Sequence, residues 1–469
     1  LKAIAMKRPE RNAKNKVGKK KRGSKERSAL PRQRKDVIQS ESMRWRDVAL
    51  MALAVVSLVA LAVGFFWWLT GVSDGKAGKP SVSLRTPEPT LRRALLVWGR
   101  GAGVDVAEWQ RVAAKFTAET GEDVQFQIWE DDASYAQTLD TGWGGENRPD
   151  VVLVAAEDVE RLRRAALIAE VPWSPAEVPR WVGSVIQPLL QGPDKIVGYP
   201  ADFSVLALYY NKAIFDRQGL AYPGDHWNWE TLIAISRAVF QPAEGVRPVS
   251  WGLEAPLTLE LWQALATQAG GGVYHEGRWL VSQPKAESGA AKGLQHLMRL
   301  FQDFAFATPR RSADTAFERG QSALLVAGAE MAARLSRQSK VSWGVAMLPK
   351  QDFQATTMDF HLWTVAASSR QQHLAQRLAR LLAETPSRND WMPAYQPEGV
   401  KKGDDPPGIF YQAVETAQPP FLHRTAPWVK QTVNGVLARI PQGPETEAVV
   451  LMQAINAALE KRDEWAKRD

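Results

Sequence analysis

Histidines stand at 226, 275, 296, 361, 373 and 423, and no two are four residues apart. A helical zinc site needs that spacing to bring two imidazoles to one face, so none is expected. The chain has no cysteine. That removes a thiolate metal site, a cysteine nucleophile, a disulfide framework and a lipid-modified cysteine. Neither G-x-x-x-x-G-K-[ST] nor G-x-S-x-G occurs. The stretch Gly99-Arg100-Gly101-Ala102-Gly103 follows an apolar run, but without the remaining glycine spacing it is weak support for a dinucleotide site. Glu130-Asp131-Asp132 reads as a solvated turn rather than a metal site. No cofactor, no metal and no enzymatic activity are expected. The residue type in excess is tryptophan, 19 in all. Indole rings stack on the C–H faces of sugars, while Asp, Glu, Asn and Arg pair with the hydroxyls. Tryptophans with scattered carboxylates therefore suit a carbohydrate cleft, although core packing accounts for most of them, Trp109 among these.

The elements that would carry such a cleft begin at Ala94. Apolar runs at 94–98, 124–128, 151–154, 322–328, 342–348 and 362–367 read as buried strands. Between them lie helical stripes: Trp109, Val112, Ala113 and Phe116; Leu294, Leu297, Met298 and Phe301; Leu374, Leu378, Leu381 and Leu382; Met452, Ile455 and Leu459. Strands alternating with helices imply parallel α/β sheets. A body of this length exceeds one small sheet, so two α/β lobes are expected.

The first 93 residues have another character. Residues 1–47 hold 17 Lys and Arg against 5 acids, which accounts for the net charge of +8 and leaves the body mildly acidic. A basic tail of this kind is expected to be disordered and cytoplasmic, and is poor support for nucleic-acid binding. Val48 to Leu69 is a run of 22 residues without charge, ending in Phe65, Phe66, Trp67 and Trp68. As a helix it would span about 33 Å, enough for a bilayer core, with its aromatic end at the interface. Basic residues precede the run, and the flank after it is nearly uncharged until Lys76. One transmembrane anchor is expected, with the N-terminus in the cytoplasm and the body outside the inner membrane; a cleaved signal peptide is the competing reading. Met43 is an alternative start for the same anchor, and the tail is assigned no function. Residues 70–93 read as a linker.

Six segments, in order, carry a family resemblance. They are VWGRGAGVDVAEWQRVAAKFTAETGEDVQFQ (97–127), PDVVLVAAEDVERLRRAALIAEV (149–171), GYPADFSVLALYYNKAIFDRQGLAYPGDHWNWETL (198–232), AGGGVY (269–274), TAFERGQSALLVAG (315–328) and SWGVAMLPK (342–350). The third is the most specific, with YP, YNK-x-x-F and W-x-W-E in succession. The body resembles the family 1 extracellular solute-binding proteins, sugar-binding subunits of ABC importers related to maltose-binding protein. The resemblance implies a two-lobed periplasmic-binding-protein fold of type II, here after the N-terminal helix. It places lobe 1 at about 94–202 and 360–416, and lobe 2 at about 203–356 and 420–469. Crossovers would lie near Ala201–Ser204, Ala355–His361 and Thr416–Leu422. It implies a monomer that captures a small solute, most simply a carbohydrate, and presents it to a permease dimer. A ligand-sensing receptor of the same fold is the alternative.

Carried across residue by residue, the resemblance gives Trp98, Arg100, Glu157, Asp158, Asp202, Ser204, Glu330, Trp363 and Trp428 as ligand-binding candidates. Trp98 and Trp428 would form facing walls, with Glu157 and Asp158 accepting hydroxyls; packing is the alternative for both tryptophans. Glu330 stands where the family carries a stacking Trp, and DFHLW (359–363) replaces a Gly-rich hinge strand. A ligand other than maltodextrin, or not a sugar at all, stays open.

Overall fold

The computed structural model describes residues 93–466, apart from 102–103, 146, 242–249, 276–277, 280–287, 303–305, 308–314, 386–390, 397, 399–401, 404, 421, 423–425 and 439–447. These residues belong to one compact unit spanning 87–469. The expected tail, the anchor at 48–69 and the linker up to residue 92 lie outside the described residues. Among the described residues no helix is long and apolar enough to cross a membrane.

The principal elements are, in chain order, β1 (Leu95–Arg100), α1 (Val104–Thr120), β2 (Val124–Trp129), α2 (Asp132–Thr141), β3 (Val151–Ala155), α3 (Ala156–Arg164), β4 (Tyr199–Val205), β5 (Ala207–Asn211), α4 (Lys212–Gln218), α5 (Trp229–Val239), β6 (Trp251–Glu254), α6 (Leu259–Gln268), α7 (Gly289–Gln302), β7 (Ser322–Ala327), α8 (Glu330–Gln338), β8 (Trp343–Ala346), β9 (Thr356–Ala366), α9 (Gln372–Glu384), α10 (Pro406–Ala413), α11 (Ala426–Leu437) and α12 (Ala448–Ala466). The strands are near-continuous apolar runs because helices cover both faces. Leu95, Val97, Val151, Val152 and Val154 are all fully buried. Helix α1 turns Trp109, Ala113 and Phe116 inward. The Trp109 ring stacks on Phe126 at 6.4 Å and meets Trp363 edge-on at 5.2 Å.

Two sheets make the two lobes; one core cluster fills lobe 1 and continues onto one face of the second sheet at Tyr209, Leu325 and Val345, and a second fills the rest of lobe 2. In lobe 1 the order is Met392–Pro393, β4, β9, β3, β1, β2; in lobe 2 it is Phe306–Ala307, β6, β7, β5, β8. The sheets are mixed, which corrects the expectation of parallel ones. The β1–β2 and β1–β3 pairs are parallel, but β9 runs antiparallel to both β3 and β4. The reason is the chain path. Strand β9 returns from lobe 2 and enters the first sheet from the hinge end, opposite to the strands that lead out of it.

The chain changes sheet three times. It leaves the first sheet after β4, and Leu206 alone separates that strand from β5 in the second. The expected crossover at Ala201–Ser204 therefore falls within β4, and lobe 1 extends to Val205. The return runs through 347–355 into β9. The last passage follows Ala417–Gln418, which pairs with Thr356 and Thr357 at the start of β9, and leads to α11 on the lobe 2 core.

Two local features place the site. The β4–β9 ladder slips between His361 and Leu362, which pair with Asp202 and Pro200. Ala201 is the extra residue, and Pro200 has no N–H to give a ladder. The slip sets Asp202 directly across from His361. In lobe 2, α6 lies tightly on α7 because Gly293 has no side chain: a Cβ there would stand 2.6 Å from the Ala266 Cα. That packing fixes the first turn of α6, where Glu260 sits.

Candidate ligand-binding cleft

The cleft forms where β9 passes between the lobes. Strand β3 ends at Ala155 and α3 starts at once, so Glu157 and Asp158 occupy the helix's first turn. Carboxylates there face the positive end of the helix dipole, while Arg161, Arg163 and Arg164 hold the negative end. Asp158 is tied to Arg161 at 2.7 Å. Glu260 lies in the first turn of α6, and Asp359 lies on β9. These three segments converge on Lys430 of α11. Its ammonium lies 3.0 Å from Glu260, 3.2 Å from Glu157 and 3.6 Å from Asp359. Burial disfavours the ammonium, but Asp359, Glu260 and Glu157 outweigh it and hold the Lys430 pKa well above the ordinary lysine value. Glu157 is pushed up, because burial and the neighbouring Asp359 exceed the help of Lys430.

A second polar group lies on the lobe 1 side. His361 Nδ1 is 2.8 Å from an Asp202 oxygen, and Nε2 is 3.1 Å from an Arg100 Nη. A guanidinium only donates, so Nε2 accepts and the proton sits on Nδ1, donated to Asp202. Arg100 also pairs with Asp132. Trp391 covers the His361 ring, with centroids 4.4 Å apart.

Two cavities meet here. One, of about 270 Å³, faces lobe 1 and is bounded by Arg100, Glu157, Asp158 and His361. The other, of about 320 Å³, faces lobe 2 and is bounded by Ser204, Glu260, Glu330 and Met331. Both share Asp359, Trp391 and Lys430 as their common wall. Ser204 donates to Glu330 at 2.7 Å and accepts the Ala329 N–H at 2.9 Å.

Residues 102–388, more than half of the chain, match the family described as bacterial extracellular solute-binding protein. The chain belongs to this family. Solved structures of such proteins share the fold. An ABC substrate-binding protein from Listeria monocytogenes in complex with cycloalternan superposes with a TM-score of 0.65 at 18% identity, covering 79% of this chain and 99% of that one. A cyclo/maltodextrin-binding protein complexed with maltotetraose gives 0.66 at 18% identity, covering 79% and 97%. A cyclic alpha-maltosyl-1,6-maltose binding protein from Arthrobacter globiformis gives 0.63 at 16% identity, covering 79% and 99%. No curated protein sequence matches the chain.

In this solute-binding protein the sequence-predicted residues part company. Arg100, Glu157 and Asp158 line the lobe 1 cavity, and Ser204 and Glu330 the lobe 2 cavity. Asp202 is buried behind His361 and acts on the site through that ring. Two of the tryptophans, Trp98 and Trp363, need correction. Trp98 is 2% exposed and packs in the lobe 1 core, edge-on to Trp129 at 5.6 Å and against Trp143 at 5.8 Å. Trp363 is 1% exposed and packs on Trp109. Trp428 rests on the lobe 2 core. Apolar area drives Trp98 and Trp363 inward, where sheet and helices cover them, while Trp428 stays partly buried. Trp391, Lys430, Glu260, Asp359 and His361 were not among the candidates. Asp359 and His361 did stand out in the DFHLW departure, and their alternation on one strand was the available signal. The acid triplet at 130–132 holds a cap: the Asp131 side chain accepts the Ser134 N–H at 2.8 Å and begins α2.

Proposed function

We propose that the protein is a membrane-anchored, extracytoplasmic receptor that captures an uncharged carbohydrate between its lobes and hands it to an ABC permease. It performs no chemistry on the solute. The observation that carries this reading is the paired cavity with Trp391 at its junction. An indole between two cavities of mixed apolar and acidic lining offers an apolar face to a sugar ring, while carboxylates on both sides accept directional hydrogen bonds from hydroxyls. The charges favour a neutral solute. Arg100 is engaged by Asp132 and His361, and Lys430 by three carboxylates. An acidic or phosphorylated sugar would have to displace one of these partners. The neighbours of this fold that hold cycloalternan and maltotetraose support the same ligand class. The run at 48–69 supplies the anchor, and closure of the lobes is the signal to the permease.

The test is a thermal-shift and calorimetric panel of linear and cyclic neutral oligosaccharides, with uronic acid and sugar phosphate counterparts. A neutral member at about 100 times its Kd should stabilise the fold by about 2.7 kcal/mol. Failure of every neutral saccharide would sink the carbohydrate reading. Release of the body into a soluble periplasmic fraction would sink the anchor.

A further inference from the structure

Lys430 and Glu157 belong to different lobes. Lys430 lies on α11, which is held in the lobe 2 core by the buried Val429, Val433 and Leu437. Glu157 lies on α3, which is held in the lobe 1 core by Ala156, Val159 and Leu162. The two helices touch directly. Of the other two partners of the ammonium, Glu260 is on the same lobe as Lys430, and Asp359 is on β9 of the lobe 1 sheet, opposite Ser204 and close to the 347–355 crossover. Glu260 thus aims the ammonium from its own lobe, Asp359 meets it beside the hinge, and Glu157 ties it to a helix of lobe 1.

We propose that Lys430 is an interlobe latch: it ties lobe 2 to Glu157 of lobe 1 without help from solute, and so sets the share of receptors with closed lobes. Apparent affinity scales with the fraction of molecules already in the competent arrangement, so such a pair tunes affinity through that fraction. The inference rests on reading the cleft as the solute site. It is tested without any solute, so failure of the carbohydrate reading leaves the outcome interpretable.

The chain contains no cysteine, so two introduced thiols label cleanly. Ala114→Cys on α1 and Ala238→Cys on α5 place one exposed label on each lobe of the full chain. Pulsed electron-spin distance measurements then report the lobe separation. Lys430→Met and Glu157→Gln should each raise the ratio of longer to shorter distances roughly two- to fivefold, the range for a partly exposed ion pair. Glu384→Gln, which removes a pair within α9 of lobe 1, should leave the distribution as in the parent. Thermal melts establish that each variant is folded; should Lys430→Met fail to fold, the isosteric Glu157→Gln decides. Unchanged distances in Glu157→Gln, or an equal change in Glu384→Gln, would overturn the latch.

Discussion

His361 donates its Nδ1 proton to Asp202, 2.8 Å away on the neighbouring strand, at the step where the β4–β9 ladder slips by one residue. Burial alone would depress the histidine, but the Asp202 carboxylate reverses this and the net pKa lies above the ordinary value of 6.5. Protonation has a structural cost, since an imidazolium cannot accept from Arg100 at Nε2.

The first prediction follows from that direction. The His361 ring resonance should titrate above 6.5 in the parent and below it in Asp202→Asn, where burial and Arg100 remain. A raised histidine adds stability below its unfolded pKa, and the gain is lost as pH rises through the folded value. The stability gap between parent and Asp202→Asn should accordingly be larger at roughly pH 6 than at roughly pH 9. An equal gap at both, by denaturant unfolding, would refute the assignment.

The second concerns His296. Its ring lies against Trp229 at 5.5 Å, and its Nε2 is buried without a hydrogen-bond partner among the described residues. Burial, aided by Arg299, pushes its pKa down to about 4. Between about pH 6.5 and that value the unfolded chain binds a proton that the native ring does not, so stability falls with acidification. The loss approaches about 3 kcal/mol at the acid end. His296→Phe should flatten that part of the stability profile relative to the parent; parallel profiles would count against it.

The third separates packing from recognition. Trp98→Ala should cost about 3–5 kcal/mol of fold stability. Trp391→Ala should cost less than about 1 kcal/mol and abolish stabilisation by whichever saccharide protects the parent. The reverse pattern in melting experiments would return Trp98 to the cleft.

The fourth concerns the support of Glu260. Gly293→Ala forces α7 away from α6 and should destabilise by about 1–3 kcal/mol. Unaltered unfolding would mean that the helices do not pack at the distance described.

Much of the fold was legible because burial leaves a periodic trace. The stripe at Trp109, Ala113 and Phe116 and the apolar runs of β1 and β3 depend only on neighbours in the chain. The acids of α3 were legible for a related reason: a strand ending at Ala155 places the next turn at the mouth of the sheet. Trp98 was misread because an aromatic near a strand's end looks the same above the sheet edge or beneath a helix, and three-dimensional cover decides which. Lys430 left no local trace. Its surroundings are assembled from residues 157, 260 and 359, which only the crossovers bring together.

Strand β9 occupies the place between β3 and β4, yet it follows all of lobe 2 in the chain. A polypeptide made from its N-terminus therefore presents β3 and β4 with bare edges until Ala366 has emerged. Bare edges invite pairing with other chains, and pairing between distant segments is slow. The lobe 2 sheet has its five strands, β5 to β8 and Phe306–Ala307, before that moment. The order of sheet assembly is thus inverted: the sheet begun first is joined only after the strands of the second, and the wall of the cleft is the strand that joins it.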